Sequence, residues 1–161
     1  MVGDGNRPDA VRHEVNVPAE PADAFRSFTA DLGEWWPPEF TWSQNTLEDI
    51  GMDCEEGGAC FEIGPHGFRC DWGRVIQWDP PERVVLTWQI SPERQPEPDP
   101  AKSSEVVVRF RPADNGSSQV VLEHAGFQRH GDRADEYRAG MEKGWGYLLD
   151  RYAAAVRSRK R

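Results

Sequence analysis

Residues 120–156 read VVLEHAGFQRHGDRADEYRAGMEKGWGYLLDRYAAAV, and this stretch decides the fold. Its first residues alternate, so that Val120, Leu122 and His124 share one face, as in a strand with one side buried. After a turn, apolar residues recur at steps of three and four, which predicts a long helix with one apolar stripe. The stripe consists of Ala134, Tyr137, Met141, Trp145, Leu148 and Tyr152.

Three glycines interrupt this predicted helix: Gly140, Gly144 and Gly146. Each costs roughly 1 kcal/mol relative to alanine in a helix interior. Gly140 and Gly144 are four residues apart and therefore share a face beside the stripe. A long helix with such gaps predicts space next to it, either for a closely packed sheet or for a ligand.

Composition narrows the class of protein. The chain has 161 residues, which suits one domain, and a net charge of -9. Its one basic cluster is a short terminal run, so we expect no nucleic-acid partner. It has neither a signal peptide nor an apolar stretch of about 20 residues, so we expect a soluble, cytoplasmic protein without a membrane partner. Three cysteines do not indicate a secreted disulfide framework.

The patterns along the chain predict a single domain over residues 11–156, between a flexible leader (1–10) and a basic tail (157–161). A first strand is followed by two short helices, a meander of five or six strands and the closing helix. Residues 91–103 are rich in proline and acid and predict a surface loop. The expected strands cover 11–17, 40–52 with irregular ends, 59–63, 68–78, 83–90, 105–111 and a last strand from 119.

These elements predict an α+β architecture. An antiparallel meander leaves one face to be covered, and only the terminal helix is long enough to cover it. If the sheet curls around the helix, the two enclose a cavity whose wall carries the inward-facing side chains. This arrangement accounts for seven Trp and seven Phe in so polar a chain.

Four segments resemble a known family: Trp35-Trp36, DPPERVVLTW (79–88), LEHAGF (122–127) and MEKGW (141–145). They are similar to homologues of the activator of the Hsp90 ATPase, within the START-like (SRPBCC) superfamily. The resemblance covers roughly residues 11–156. It implies the helix-grip fold, a curved antiparallel sheet wrapped around a long C-terminal helix, with two short helices after the first strand.

A closer resemblance rests on VRHEV (11–15), EWWPPEF (34–40), KSSEVVVRF (102–110) and RAGMEKGW (138–145). These segments look like the self-resistance proteins directed against enediyne antibiotics such as calicheamicin. The resemblance implies that an enediyne binds in the cavity and is quenched, by sequestration or by self-sacrificial backbone cleavage at a glycine. The matching glycine here is Gly116, in the turn before the last strand. A glycine Cα–H has no side chain to shield it.

The inward-facing aromatic residues are the candidate ligand-binding residues. For any one tryptophan, core packing is the better interpretation, whereas for the group we favour core packing together with cavity lining, since aromatic faces stack on conjugated ligands. His124 is either a hydrogen-bonded core histidine or a polar group on the cavity wall. The candidates are Trp35, Trp36, Phe61, Trp72, Trp88, His124, Phe127, Met141 and Trp145.

The cysteines invite a zinc interpretation, but Cys54, Cys60 and Cys70 lack the usual short spacing, so no metal or cofactor is expected. Centring the hairpin on Pro65 places Cys60 opposite Cys70, close enough for a thiol pair or a disulfide. The role of the three thiols stays open. No nucleophile triad or phosphate loop can be assembled, so we expect a protein that is not an enzyme.

The sequence therefore predicts a protein that binds a hydrophobic small molecule, with antibiotic self-resistance as the leading function and a monomer or weak dimer as its state. Two alternatives remain. One is an Hsp90-cochaperone-like interaction domain, and the other is an enzyme similar to polyketide cyclases.

Overall fold

The computed structural model describes residues 9–159, in which a seven-stranded antiparallel sheet curls around one long helix. The first eight residues of the predicted leader and the last two of the predicted tail lie outside this range. The elements are β1 (Val11–Val17), α1 (Pro21–Phe28), β2 (Asp49–Met52), β3 (Ala59–Ile63), β4 (Arg69–Asp79), β5 (Arg83–Trp88), β6 (Ser104–Pro112), β7 (Ser118–Ala125) and α2 (Ala134–Arg159).

The sheet joins the two ends of the chain. Its strand order is β1-β7-β6-β5-β4-β3-β2, so β1 pairs with β7 and β2 lies at the far edge. In the β1–β7 ladder, Val11 pairs with His124 and Val17 pairs with Ser118. The predicted α+β class, the curled sheet and the helix-grip arrangement are confirmed.

The terminal helix carries the predicted apolar stripe into the core. Its buried residues are Tyr137, Met141, Trp145, Leu148, Leu149, Tyr152, Ala153 and Val156. The helix continues through residues 157–159 of the predicted basic tail, where Arg159 forms an ion pair with Asp31 at 2.9 Å. At its other end, the Arg138 guanidinium donates to the backbone carbonyls of Asp9 and Ala10, at 2.8 and 3.1 Å.

The predicted strand at 40–52 is wrong for most of its length. Only Asp49–Met52 forms a strand, and 3₁₀ turns occupy Pro38–Phe40 and Gln44–Thr46. The reason is the Glu62 carboxylate, which accepts hydrogen bonds from the backbone N–H groups of Trp42 and Ser43. Those donors are then not available to a β ladder. The second of the two predicted short helices is a single 3₁₀ turn at Leu32–Glu34.

Two register shifts bend the middle of the sheet. Between β3 and β4, Cys60 pairs with Gly73 while Phe61 pairs with Asp71, so Trp72 is the extra residue of a β-bulge. On the turn side of this bulge, Ile63 pairs with Arg69 and Glu62 pairs with Cys70, so the predicted pairing of Cys60 with Cys70 is wrong. All three cysteines are free thiols.

No helix within residues 9–159 is both long and apolar enough to cross a membrane.

Candidate functional site

A cavity of about 620 Å³ lies between the N-terminal half of α2 and strands β2 to β5. The segment from Trp36 to Gln44 closes one side of it, and the loop after β5 closes another. The lining residues are Trp36, Glu39, Phe40, Thr41, Trp42, Gln44, Ile50, Glu62, Trp72, Trp88, Ile90, Arg94, Tyr137, Gly140, Met141, Lys143, Gly144, Tyr147 and Leu148.

Three tryptophans form the aromatic wall of this cavity. Trp36 and Trp72 stack with ring centroids 5.6 Å apart and an interplanar angle of 27°. Trp88 meets Trp72 edge to face, at 5.6 Å. The bulge in β4 makes Trp72 an additional residue on that strand, and bulges commonly re-aim a side chain beside a functional site. A wall of this kind offers broad aromatic faces to a flat, conjugated ligand.

A short hydrogen-bond chain holds Trp88 in place. Its indole N–H donates to the Tyr137 hydroxyl at 2.7 Å, and that hydroxyl donates to the Ile90 carbonyl, also at 2.7 Å. Burial raises the pKa of Tyr137 to about 12, in opposition to the hydrogen bond from Trp88. The hydroxyl is therefore protonated at neutral pH and can act as the donor to Ile90.

The helix side of the cavity is open because two residues lack side chains. A Cβ atom placed on Gly140 or Gly144 would meet nothing within 4 Å. Both glycines line the cavity, with Met141 between them. The space that these glycines predict therefore lies between helix and sheet, where a ligand has access to it.

Glu62 is the buried polar group of the cavity, with 1% of its surface exposed. Its carboxylate accepts backbone N–H bonds from Trp42 at 3.1 Å and from Ser43 at 2.7 Å. Trp42 in turn donates from its indole N–H to the Arg94 carbonyl, at 2.8 Å. These bonds tie the segment over the cavity to β3 on one side and to the loop after β5 on the other.

Of the nine predicted ligand-binding residues, four line the cavity: Trp36, Trp72, Trp88 and Met141. Trp35 points the other way, into the core, where it contacts Phe28 and Tyr152 and donates to the Ser27 carbonyl. Phe61 lies on the opposite face of β3, because alternation gives the inward position to Glu62, and its ring stacks under the Arg69 guanidinium.

His124, Phe127 and Trp145 pack behind the cavity wall rather than on it. Trp145 donates from its indole N–H to His124 Nδ1 at 2.9 Å, and Phe127 lies against the imidazole, with 4.3 Å between centroids. His124 is fully buried. Both ring nitrogens form hydrogen bonds within the core, which favours the interpretation of His124 as a hydrogen-bonded core histidine.

The hydrogen bonds of His124 fix its tautomer. An indole N–H only donates, so Nδ1 of His124 is an acceptor and Nε2 carries the proton. Nε2 donates to Ser104 Oγ at 2.6 Å, and the same hydroxyl forms a hydrogen bond of 2.8 Å with His130 Nε2. Burial lowers the pKa of His124 well below its usual range, and the nearby His130 adds to the effect. His124 is neutral in the folded protein.

Gly116 lies far from this cavity. It belongs to the turn between β6 and β7, while Ser104, at the other end of β6, pairs with Trp88 of the cavity wall. The nine residues of β6 separate these ends by about 27 Å along the strand. Gly116 instead borders a surface hollow near Glu20 and Arg159. The candidate cleavage site and the cavity are therefore two distinct places.

The sequence did not predict most of the lining residues in the segment from Trp36 to Gln44, nor those at the opening of the cavity, such as Arg94. Tyr137 and Leu148 belong to the predicted helical stripe, so the signal for them was present. Arg94 carried no signal, since it falls in a loop predicted to lie on the surface. Glu62 alternates correctly with Cys60, but an isolated glutamate in a strand does not indicate a buried carboxylate.

The curled sheet, the long C-terminal helix and the cavity between them define the class of START-like helix-grip proteins. Within that class, the chain belongs to the family described as Activator of Hsp90 ATPase homolog 1-like protein, whose sequence profile matches residues 18–157. The family resemblance in the sequence is confirmed. A comparison with curated proteins gives no match.

Two solved structures are similar in both sequence and fold. The anthrahydroquino-gamma-pyrone synthase Txn09 is 32% identical with a TM-score of 0.65, covering 92% of this chain and 99% of that chain. CalC, a self-sacrificing resistance protein from Micromonospora echinospora, is 28% identical with a TM-score of 0.65, covering 93% and 95%. CalC supports the closer resemblance to self-resistance proteins.

The Aha1 dimer from Colwellia psychrerythraea is 15% identical with a TM-score of 0.62, covering 92% of this chain and 96% of that chain. At this identity the likeness concerns the fold alone.

Proposed function

We propose that this protein binds a flat, hydrophobic small molecule in the cavity between α2 and the sheet, and that it protects its host by sequestering a reactive enediyne there. The observation that carries the proposal is the pairing of the wall of Trp36, Trp72 and Trp88 with the open face at Gly140 and Gly144. The volume of about 620 Å³ falls within the range of small-molecule sites. The likeness to CalC supports the self-resistance role.

Sequestration fits the geometry better than cleavage at Gly116. A diradical generated in the cavity would not be next to Gly116, because Gly116 borders a different surface hollow, in the turn beyond the far end of β6. The glycine Cα atoms beside the cavity belong to Gly140 and Gly144. If the chain is cut by a ligand held in this cavity, the cut falls at one of these two residues.

The test is a DNA-protection assay with a thiol-activated enediyne. The wild-type protein should reduce DNA cleavage, and Gly144→Leu, which fills the cavity, should abolish that protection. Ala139→Leu is the matched control, because Ala139 is exposed on the same helix and does not line the cavity. Undiminished DNA cleavage in the presence of wild-type protein would contradict the resistance function.

Mass spectrometry of the protein after the same reaction separates the two routes of quenching. An intact chain supports sequestration, and fragments ending at Gly140 or Gly144 support self-sacrifice at the cavity. Fragments ending at Gly116, lost in Gly116→Ala, would show that the ligand binds elsewhere.

A second candidate is an enzyme acting on an aromatic polyketide. The 32% identity to the synthase Txn09 favours it, together with the buried Glu62 carboxylate in the cavity wall. Incubation with an anthrahydroquinone substrate, followed by mass spectrometry for a pyrone product, tests this function. Turnover that is lost in Glu62→Gln would support it, and an unchanged substrate would count against it.

The cochaperone alternative has no comparable support, since the Aha1 structure shares only the fold.

A further inference from the structure

Several polar side chains of the cavity wall already form hydrogen bonds within the protein. Glu62 already accepts two backbone N–H bonds. The Thr41 hydroxyl donates to the Pro38 carbonyl and accepts from the backbone N–H of Gln44. The Tyr137 hydroxyl both accepts and donates. The hydroxyl protons of Thr41 and Tyr137 are thus both used within the protein.

Two donors on the aromatic wall have no partner. Neither the Trp36 nor the Trp72 indole N–H makes a hydrogen bond within the described residues, although the side chains are only 6% and 2% exposed. An unsatisfied buried donor is costly, and native structures contain few of them. Trp88, the third member of the wall, does have a partner, the hydroxyl of Tyr137. Both rings line the cavity, so a ligand acceptor that reached these two N–H groups would remove the cost of leaving them unpaired.

Two cationic side chains at the opening of the cavity also lack hydrogen-bond or ion-pair partners among residues 9–159. Arg94 and Lys143 line the cavity, are exposed, and form no ion pair or side-chain hydrogen bond with residues 9–159. The positive charge of Arg94 lies close enough to Tyr137 to lower the pKa of its hydroxyl, in opposition to the larger effect of burial. The carboxylate at the same mouth, Glu39, accepts a long bond from Tyr147 at 3.5 Å. The chain has a net charge of -9, yet two cations without an ion pair lie at this opening, and they favour an anionic group there.

We propose that the ligand of this cavity is a planar, conjugated molecule rich in acceptor oxygens, and that it carries an acidic group. Its ring carbonyls accept from Trp36 and Trp72, while an ionised carboxylate or phenolate lies near Arg94 and Lys143. Neighbouring atoms cover both indole nitrogens, so a rotation of the rings accompanies binding. A polycyclic quinone, alone or fused to an enediyne, has this chemistry. The inference rests on the proposed function, since it names the ligand class for the same cavity.

The experiment is a titration of the protein with three matched probes at pH 7, followed by tryptophan fluorescence. Anthraquinone-2-carboxylate has both the ring carbonyls and the charge. Anthracene-2-carboxylate lacks the carbonyls, and anthraquinone-2-carboxamide lacks the charge. We expect the first probe to bind at least fivefold more tightly than either of the others. Equal affinity for all three would overturn the inference.

Variants assign each preference to its residues. Trp72→Phe and Trp36→Phe keep an aromatic ring but remove the N–H, so they should weaken the binding of the two quinones by a larger factor than that of anthracene-2-carboxylate. The double variant Arg94→Gln with Lys143→Gln should weaken the two carboxylates and spare the carboxamide. Lys102→Gln, which removes an exposed cation outside the cavity, is the matched control.

For each variant, the probe that the substitution should affect least shows whether the protein is still folded. A variant that loses all three probes equally would contradict the assignment of that residue. If no probe binds the wild type, the inference is wrong, and the DNA-protection assay then decides separately whether the proposed function fails as well. If all three bind equally and Gly144→Leu blocks them, the cavity is a ligand site and only the ligand class is wrong.

Discussion

His124 was predicted as a ligand-binding residue, but its side chain forms its hydrogen bonds within the core. It faces inward on β7, as the alternation predicts, yet Trp145 and Ser104 occupy both of its ring nitrogens. The imidazole therefore orients Trp145 behind the aromatic wall and has no atom left for a ligand. Its burial makes it a determinant of stability, with a consequence that depends on pH.

The free energy of unfolding should fall on acidification below about pH 6.5. Burial lowers the pKa of His124 in the folded state, whereas the unfolded chain takes up the proton at the ordinary pKa. The unfolded state then binds more protons, so stability is present at neutral pH and is lost as the pH falls, by up to about 1.4 kcal/mol per pH unit. Burial also lowers the pKa of His130, which acts in the same direction.

Urea denaturation between pH 7 and pH 5 measures this slope. His124→Gln should be less stable at pH 7 and should show a flatter dependence on pH. His66→Asn replaces an exposed histidine at a turn with positive φ, where asparagine is tolerated, and should retain the wild-type slope. A wild-type slope in His124→Gln would show that other groups control the pH dependence.

At the scale of the element, two glycines in α2 lower the stability of the helix and leave open space beside it. Gly140→Ala and Gly144→Ala should each raise the free energy of unfolding by up to about 1 kcal/mol, since alanine favours the helix and its methyl group meets nothing within 4 Å. Because the new methyl groups enter the cavity, both variants should weaken ligand binding. Thermal denaturation and a fluorescence titration measure the two effects.

Gly146 provides the matched control for α2. It lies in the same helix, but a Cβ there would meet the His13 ring at 3.5 Å and not the cavity. Gly146→Ala should therefore leave ligand affinity unchanged. Loss of affinity in this variant, equal to that in Gly144→Ala, would show that helix rigidity and not space controls binding.

The segment that closes the cavity depends on a single carboxylate. Glu62→Gln replaces one of the two acceptor oxygens with an amide NH₂, which then lies near the N–H groups of Trp42 and Ser43. We expect a loss of about 1–3 kcal/mol in the free energy of unfolding. Hydrogen exchange should accelerate at the Trp42 and Ser43 amides. Glu55→Gln, an exposed residue, is the control, and equal exchange in both variants would contradict the anchoring role.

These elements also show how far the sequence leads. The alternation at 120–125 and the stripe from Tyr137 to Tyr152 predict β7 and α2, because each pattern has one period and one buried face. The segment at 40–52 could not be predicted, since the hydrogen bonds that shape it come from Glu62, about twenty residues away in sequence.

The site was only partly predictable for a related reason. Trp72 was a predicted candidate, but the bulge that adds it to β4 shifts the alternation of the strand after it, and no sequence pattern indicates this shift. In the Trp35-Trp36 pair, the turn after Leu32–Glu34 directs one ring to the core and the other to the cavity, and no sequence pattern distinguishes the two. Inward positions could be predicted, but the boundary between core and cavity depends on how helix and sheet are spaced.

At the scale of the whole molecule, the ligand should act as part of the core. The cavity is bounded by four strands, by α2 and by the closing segment, so a bound molecule contacts elements that must all be folded. Anthraquinone-2-carboxylate at 100 times its dissociation constant should raise the free energy of unfolding by about 2.7 kcal/mol. Urea denaturation with and without the probe measures the shift, and Gly144→Leu should show none.

The pairing of β1 with β7 limits how early the sheet can form while the chain is being synthesised. The first strand leaves the ribosome early, but its partner is more than 100 residues later in the sequence, and α2 follows that partner. Until then, the inward residues of β1 have no permanent neighbours, and the nascent chain depends on its low hydropathy and its acidic charge to stay dispersed. A fragment that stops before β7 should therefore accumulate as an unfolded chain, because β1 has no partner strand in it.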